Sequence, residues 1–257
     1  MQVELYIWGF ISTLVFKSFM SMGGVGAAFI LVPIFYWLGM PFPQAAATGL
    51  MLGVLNTGVA SINYGRDKLI NFKVAIPLII AIFIFSPLGV YSSNVVNKQI
   101  LLVIFAAFLL TAGSMMLFYH PQKKTHEDQV KTKPAAGFGV GGIIGFLSGL
   151  LGVGGGSFLG PFLVWLGMDG KQVAGTSAFV VMFSSLIGFL GHIGFEYSHM
   201  NYAFLVLTGA ASLMGGQIGS WLTRFKLTGK QVKQVIGVFQ YLVALKIILD
   251  LLNVIHK

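Results

Sequence analysis

Two nearly uninterrupted apolar runs, at residues 72–90 and 100–119, limit what this chain can fold into. Each is long enough to cross the roughly 30 Å hydrocarbon core of a bilayer as a helix. Over the whole chain 56% of the residues are hydrophobic and 9% are charged, which is more apolar surface than a soluble domain buries. The sequence therefore predicts an all-α, polytopic integral membrane helical bundle in contact with the lipid bilayer.

The polar residues argue against several functions. The chain has no cysteine, and its five histidines show no paired metal spacing, so we expect no metal and no other cofactor. The chain has a net charge of +9, and its basic residues lie mainly in short loops. Membrane topology explains this distribution better than nucleic-acid binding does. We find no paired acids, no nucleophile beside a base and no ATP-type phosphate loop, so we expect no enzyme. The N-terminal segment lacks a basic start and a cleavage site, so we expect it to belong to the fold.

An internal duplication is the strongest pattern in the sequence. At an offset of 128 residues, 12 of the 25 positions from Gly24 to Thr48 are identical to those from Gly152 to Thr176. The matches include glycine, proline, tryptophan, glutamine and threonine, which chance similarity between apolar segments does not reproduce. We divide the chain into a first repeat (1–119), a polar cytoplasmic linker (120–134) and a second repeat (135–257).

Each repeat consists of two arms on either side of a glycine cluster, followed by three longer spans. The arms at 138–152 and 157–167 rise roughly 22 and 16 Å, less than the bilayer core. The two arms form either one kinked span or a hairpin. The hairpin would be re-entrant, or at least short-armed. The hairpin places 12 basic residues on one side, in the loops 64–73, 120–134, 166–172 and 222–234, as the positive-inside rule favours.

A hairpin plus three spans is an odd number of crossings, so the two repeats are predicted to be inverted, with the N-terminus outside. Inverted repeats with interrupted helices are typical of secondary transporters that alternate access to a midplane site. We therefore expect the two glycine clusters to meet in mid-membrane. Each is followed by a short helix whose N-terminal amides and positive dipole end favour an anion. The predicted solute-binding turn residues are Gly24, Val25, Gly26, Ala27, Gly152, Val153, Gly154, Gly155 and Gly156. The alternative is that these glycines only allow close helix packing.

Polar side chains in the spans add candidates. Thr48, Thr176 and Ser177 are hydroxyls at the start of the span after each hairpin, with Asn56 and Ser184 further along. The alternative for the hydroxyls is a bond to the carbonyl four residues earlier. Lys17 lies six residues before the first glycine pair, where it adds positive potential to an anion path, snorkels or pairs structurally.

Three other charged or titratable groups have weaker cases. Lys246 and Asp250 stand four apart on the last helix and are predicted to pair. His192 and Glu196 lie one turn apart. They are either proton carriers for coupling or part of a solvated loop end.

The residues from Gly149 to Gly156, then Pro161 and the run Ala174 to Ser177, resemble the TauE/SafE sulfite exporter family of membrane permeases. The resemblance covers nearly the full length, and the first half departs from it at Ala27, Ala28 and the run 47–49. It implies transport of sulfite, sulfoacetate or a related small sulfur-containing anion across the cytoplasmic membrane, with or without a coupling ion or proton. An anion channel or a non-transporting membrane scaffold is the alternative function.

Overall fold

The computed structural model describes residues 2–21, 27–118, 134–196, 201–222 and 229–255. Within these ranges the chain forms ten α-helices and no strand. The first five are α1 (Gln2–Ser21), α2 (Ala28–Trp37), α3 (Phe42–Arg66), α4 (Phe72–Val95) and α5 (Lys98–Phe118). The other five are α6 (Pro134–Leu151), α7 (Gly156–Trp165), α8 (Gly170–Glu196), α9 (Tyr202–Leu222) and α10 (Gly229–Ile255).

The helices have the lengths and surfaces of a polytopic membrane protein, as predicted. Four described segments are long and apolar enough to cross a bilayer, within α3, α4, α5 and α8. The outward faces carry large apolar side chains at helical spacing, such as Ile76, Ile80 and Phe83 on α4, each more than half exposed. Such a surface suits lipid rather than water.

The repeat found in the sequence recurs in the helix boundaries. α2 and α7 begin at Ala28 and Gly156, and α3 and α8 begin at Phe42 and Gly170, each pair separated by the same 128 residues. Only the second arm of each hairpin is short, since α2 and α7 have 10 residues and rise about 15 Å. The first arms are longer than expected, with 20 residues in α1 and 18 in α6.

The largest helix interfaces all join the two repeats. α1 packs on α9 and α6 packs on α4, while α3 packs on α8 and α5 on α10. When each helix is replaced by its counterpart in the other repeat, the α1–α9 pair becomes the α6–α4 pair, and the α3–α8 and α5–α10 pairs map onto themselves. Around α2 lies the larger apolar core, where the rings of Phe35 and Phe204 meet edge to face at a centroid distance of 5.1 Å.

The central helices α3 and α8 run antiparallel. Gly53 of α3 faces Ser185 of α8, and Gly58, five residues later, faces the earlier residue Met182. α4 and α6 run parallel and in close contact, because glycines of α6 lie directly against the backbone of α4. A Cβ added at Gly145 would stand 2.7 Å from the Cα of Ile82.

Candidate functional site

The second glycine turn, residues 152–155, is a buried reversal between α6 and α7. Gly152, Gly154 and Gly155 have φ values of +75, +68 and +72°, a left-handed conformation that costs other residues roughly 1–2 kcal/mol each. The backbone amides from Val153 to Gly156 donate to no acceptor among the described residues. Unpaired amides at the N-terminus of a helix form a site for a negatively charged group.

The second turn lies against α3 of the first repeat. A Cβ on Gly152 would collide with the backbone of Ala46, and one on Gly49 would stand 3.0 Å from the Gly152 carbonyl oxygen. Both contacts depend on glycine, since any larger side chain would separate the turn from α3. The N-terminal part of α3 and the second turn therefore form one packed unit across the two repeats.

Ser185 is the side chain that the sequence reasoning missed. Its hydroxyl is buried, has no hydrogen-bond partner in the structure, and lies 2.7 Å from where a Cβ on Gly154 would stand. The same oxygen lies 2.7 Å from the corresponding position on Gly53 of α3. Ser185 therefore joins the turn to the crossing of α3 and α8. The serine pair at 184–185 in an apolar run is the signal that could have found it.

The predicted threonines make local or structural bonds. Thr48 donates to the Gln44 carbonyl four residues earlier at 2.9 Å, the alternative weighed from the sequence. Thr176 accepts a 2.9 Å hydrogen bond from the backbone amide of Asn71, the residue before α4. Thr176 also lies nine residues before Ser185 on α8, about 13 Å along the helix axis. The structure therefore does not bring Thr176 to the second turn.

The other predicted polar residues differ in burial and bonding. Ser184 is buried, and its hydroxyl has no hydrogen-bond partner in the structure; the hydroxyl of half-buried Ser177 also has none. Ser177 is the repeat counterpart of Gly49, which faces the second turn. Asn56 is half-buried on α3, and its side-chain oxygen lies 3.9 Å from where a Cβ on Gly216 would stand.

Lys17 on α1 is a buried lysine. It is 1% exposed, and its ammonium lies 3.5 Å from the backbone carbonyl oxygen of Leu52 on α3. Among the described residues no carboxylate pairs with it. It therefore neither snorkels nor forms an ion pair with a described residue. Leu52 precedes Gly53, which places the cation near the α3–α8 crossing.

His192 is not part of a solvated loop end. It is fully buried on α8, and its Nε2 atom lies 2.9 Å from the Gly149 carbonyl oxygen of α6. Gly149 lies three positions before Gly152, so the imidazole is anchored beside the second turn. The side chain of Glu196, its predicted companion, lies outside the described residues.

The first glycine turn is only partly described. Gly24, Val25 and Gly26 lie outside the described residues. Ala27 is buried at the start of α2 with φ −82°, whereas its repeat counterpart Gly155 has φ +72°. The two short helices therefore begin from different backbone conformations.

A separate cavity of about 780 Å³ opens between the ends of α2, α4, α5 and α10. The Lys98 ammonium lies 4.8 Å from the Tyr36 ring centroid on its wall. The predicted Lys246–Asp250 ion pair is wrong: the Lys246 ammonium lies 4.4 Å from the centroid of the Trp37 ring instead. A cation over an aromatic face is favourable, and Lys246 is exposed.

The fold and the site define a polytopic membrane protein with a buried, amide-lined turn at its centre. The family described as Sulfite exporter TauE/SafE matches residues 9–247, so the chain belongs to this family of membrane transporters.

Individual relatives agree with this assignment. The "Probable membrane transporter protein YunE" of Bacillus subtilis is 26% identical over 255 residues, which cover 90% of this chain and 92% of that protein. A "Probable membrane transporter protein" of Methanocaldococcus jannaschii is 31% identical over 180 residues, 67% of each chain. "Sulfite exporter TauE/SafE family protein 2" of Arabidopsis thaliana is 33% identical over 75 residues, 28% of this chain and 16% of that protein. No solved structure matches the chain.

Proposed function

We propose that this protein is a secondary transporter of a small sulfur-containing anion, such as sulfite, sulfoacetate or another organosulfonate. Transport proceeds by alternating access to a midplane anion site at the glycine turns. The observation that carries this proposal is the set of backbone amides from Val153 to Gly156, which have no acceptor among the described residues. Val153, Gly154 and Gly155 are buried, and Gly156 is half-buried. A buried amide without a partner costs roughly 1–3 kcal/mol, and an anion oxygen supplies the missing acceptor.

Lys17 supplies positive charge to the same region. Its ammonium contacts the backbone of Leu52, next to Gly53, which faces Ser185. Ser185 in turn faces Gly154 in the second turn. A buried cation without a carboxylate partner is costly, and a bound anion compensates that cost. The predicted site residues Ser177, Ser184 and Asn56 belong to the same proposal, as hydrogen-bond donors along the anion's path.

We propose that the two repeats are inverted in the membrane. The antiparallel packing of α3 on α8, which are repeat counterparts, supports this arrangement, because a two-fold axis that relates antiparallel membrane helices lies in the plane of the bilayer. The basic loops support a cytoplasmic location for the α3–α4 and α7–α8 connections. With these orientations the N-terminus is outside, in a protein of the cytoplasmic membrane.

Reconstituted flux tests the proposal. The purified full chain in proteoliposomes should take up labelled sulfoacetate with saturation kinetics, and unlabelled sulfite, thiosulfate or a second organosulfonate should compete. Empty liposomes and competition by chloride serve as controls. A flux that does not saturate and is carried as a current would identify an anion channel. No flux of any of these anions would identify a non-transporting scaffold and refute the proposal.

A further inference from the structure

Polar groups without partners lie beside the second turn, where α8 meets α4 and α6. Ser184 and Ser185 lie four and three residues before Gly188, and His192 lies four residues after it, so all face one side of α8. A Cβ on Gly188 would stand 3.4 Å from the hydroxyl oxygen of Ser86 on α4. All of these side chains are fully buried, and each of these serine hydroxyls lacks a hydrogen-bond partner in the structure.

The hydrogen bond of His192 determines where its proton sits. The Gly149 carbonyl can only accept, so Nε2 of His192 must be the donor. In the neutral ring Nδ1 is then a lone-pair acceptor, and this buried atom has no partner in the structure. An acceptor left empty at this depth is unfavourable. A proton on Nδ1 would leave the bond to Gly149 intact.

The helices around His192 offer few other groups that titrate or carry charge. α6 has none in its sequence from Pro134 to Leu151. On α4, Tyr91 is 57% exposed and Lys73 lies at the opposite end of the helix. On α3, Tyr64 and Arg66 lie in the last turn, at the far end from the second glycine turn. On α8 itself, Lys171 lies in the first turn and Glu196 is the last residue.

We propose that the coupling ion is a proton, which binds Nδ1 of His192 and is cotransported with the anion. This inference rests on the transport function proposed above. The geometry supplies the coupling, since an imidazolium on the Gly149 carbonyl adds positive charge about one helical turn from the anion-binding amides. Each ligand then raises the affinity for the other by the same factor. The unpartnered hydroxyls of Ser86 on α4 and of Ser184 and Ser185 on α8 lie on the same side of α8 as His192, and Ser185 contacts the turn at Gly154.

The test uses the full chain in proteoliposomes with labelled sulfoacetate, whose charge is constant between about pH 6 and about pH 8. Two rates are measured: net uptake under an inward proton gradient, and exchange with internal unlabelled sulfoacetate at equal pH. In the native protein an inward proton gradient should accelerate uptake about tenfold or more, and a lumenal dye should report acidification during uptake. A sodium gradient at equal pH should have no effect.

His192→Gln keeps a donor for the Gly149 carbonyl but cannot titrate. We expect it to retain exchange at saturating sulfoacetate within about threefold of native while losing the acceleration by the proton gradient; His126→Gln in the polar linker serves as the matched control. A purely structural role for His192 would lower exchange and gradient-driven uptake together. Acceleration by the proton gradient that persists in His192→Gln, or native uptake driven by sodium alone, would overturn the inference. Native exchange without any proton effect would also overturn it while leaving the transport function standing. The absence of native exchange would refute both.

Discussion

The Ser185 hydroxyl oxygen lies 2.7 Å from the position that a Cβ atom on Gly154 would occupy. The second glycine turn therefore packs directly on the Ser185 side chain of α8 and presents no side chain of its own at residue 154. This contact brings the unpaired amides of the turn to the crossing of α3 and α8. It accounts for the requirement for glycine at residue 154 in two ways, by its positive φ and by the closeness of Ser185.

Alanine at residue 154 should therefore damage transport. We expect Gly154→Ala to lower kcat/KM for sulfoacetate at least about tenfold, because strain and contact with Ser185 displace the amides. The matched control is Gly160→Ala on α7, where no atom lies within 4 Å of the added Cβ and kcat/KM should change less than about twofold. Both variants should insert into the membrane at native levels. Native kinetics in Gly154→Ala would contradict the second turn as the anion site.

Lys17 should contribute to anion affinity rather than to stability. Lys17→Met removes a buried charge that has no carboxylate partner among the described residues, so we expect an unchanged or higher Tm and a KM for sulfoacetate raised about tenfold or more. Lys246→Met is the control, since that ammonium lies over the Trp37 ring at an exposed site, and its KM should stay within about twofold. A lower Tm with an unchanged KM in Lys17→Met would show that the lysine is structural.

The α4–α6 interface should tolerate no added methyl group at its closest point. A Cβ at Gly145 would stand 2.7 Å from the Cα of Ile82, whereas at Gly139, on the same helix, it would meet nothing within 4 Å. We expect Gly145→Ala to destabilise the protein by about 1–3 kcal/mol and Gly139→Ala to be neutral or slightly stabilising. Thermal unfolding in detergent measures both. Equal Tm values in the two variants would contradict the close packing of α4 on α6.

The inverted arrangement can be tested by thiol labelling, because the native chain contains no cysteine. Lys98 at the start of α5 and Lys171 at the start of α8 are both exposed, so cysteine should be tolerated at either position. An impermeant maleimide added to intact cells should label Lys98→Cys, and Lys171→Cys should react only after the membrane is opened. Labelling of both from the same side would exclude inversion of the repeats.

Much of the fold could be predicted from local patterns. The 128-residue offset anticipated the matching starts of α2 with α7 and of α3 with α8, because helix starts and glycine turns depend on nearby residues. Other contacts could not be predicted in this way. Lys246 contacts Trp37 instead of Asp250, and His192 is buried against Gly149 instead of facing solvent. In both cases the partner lies far away in the sequence, on a helix that only tertiary packing brings close.

The sequence by itself determined that the chain is a helical membrane protein made of two related halves, each with a glycine cluster before a short helix. The helices, the glycine clusters and the duplication follow from the length of the apolar runs, the conformational freedom of glycine and the register of the repeat. All of these are properties of short stretches of chain. Only the tertiary structure decided which polar groups meet at the centre. The antiparallel crossing of α3 and α8 brings Ser185 to Gly154, and the packing of each hairpin on the other repeat brings α1 and α6 to their partners. These neighbours depend on the angle and depth at which helices pack, which the sequence periodicity does not specify.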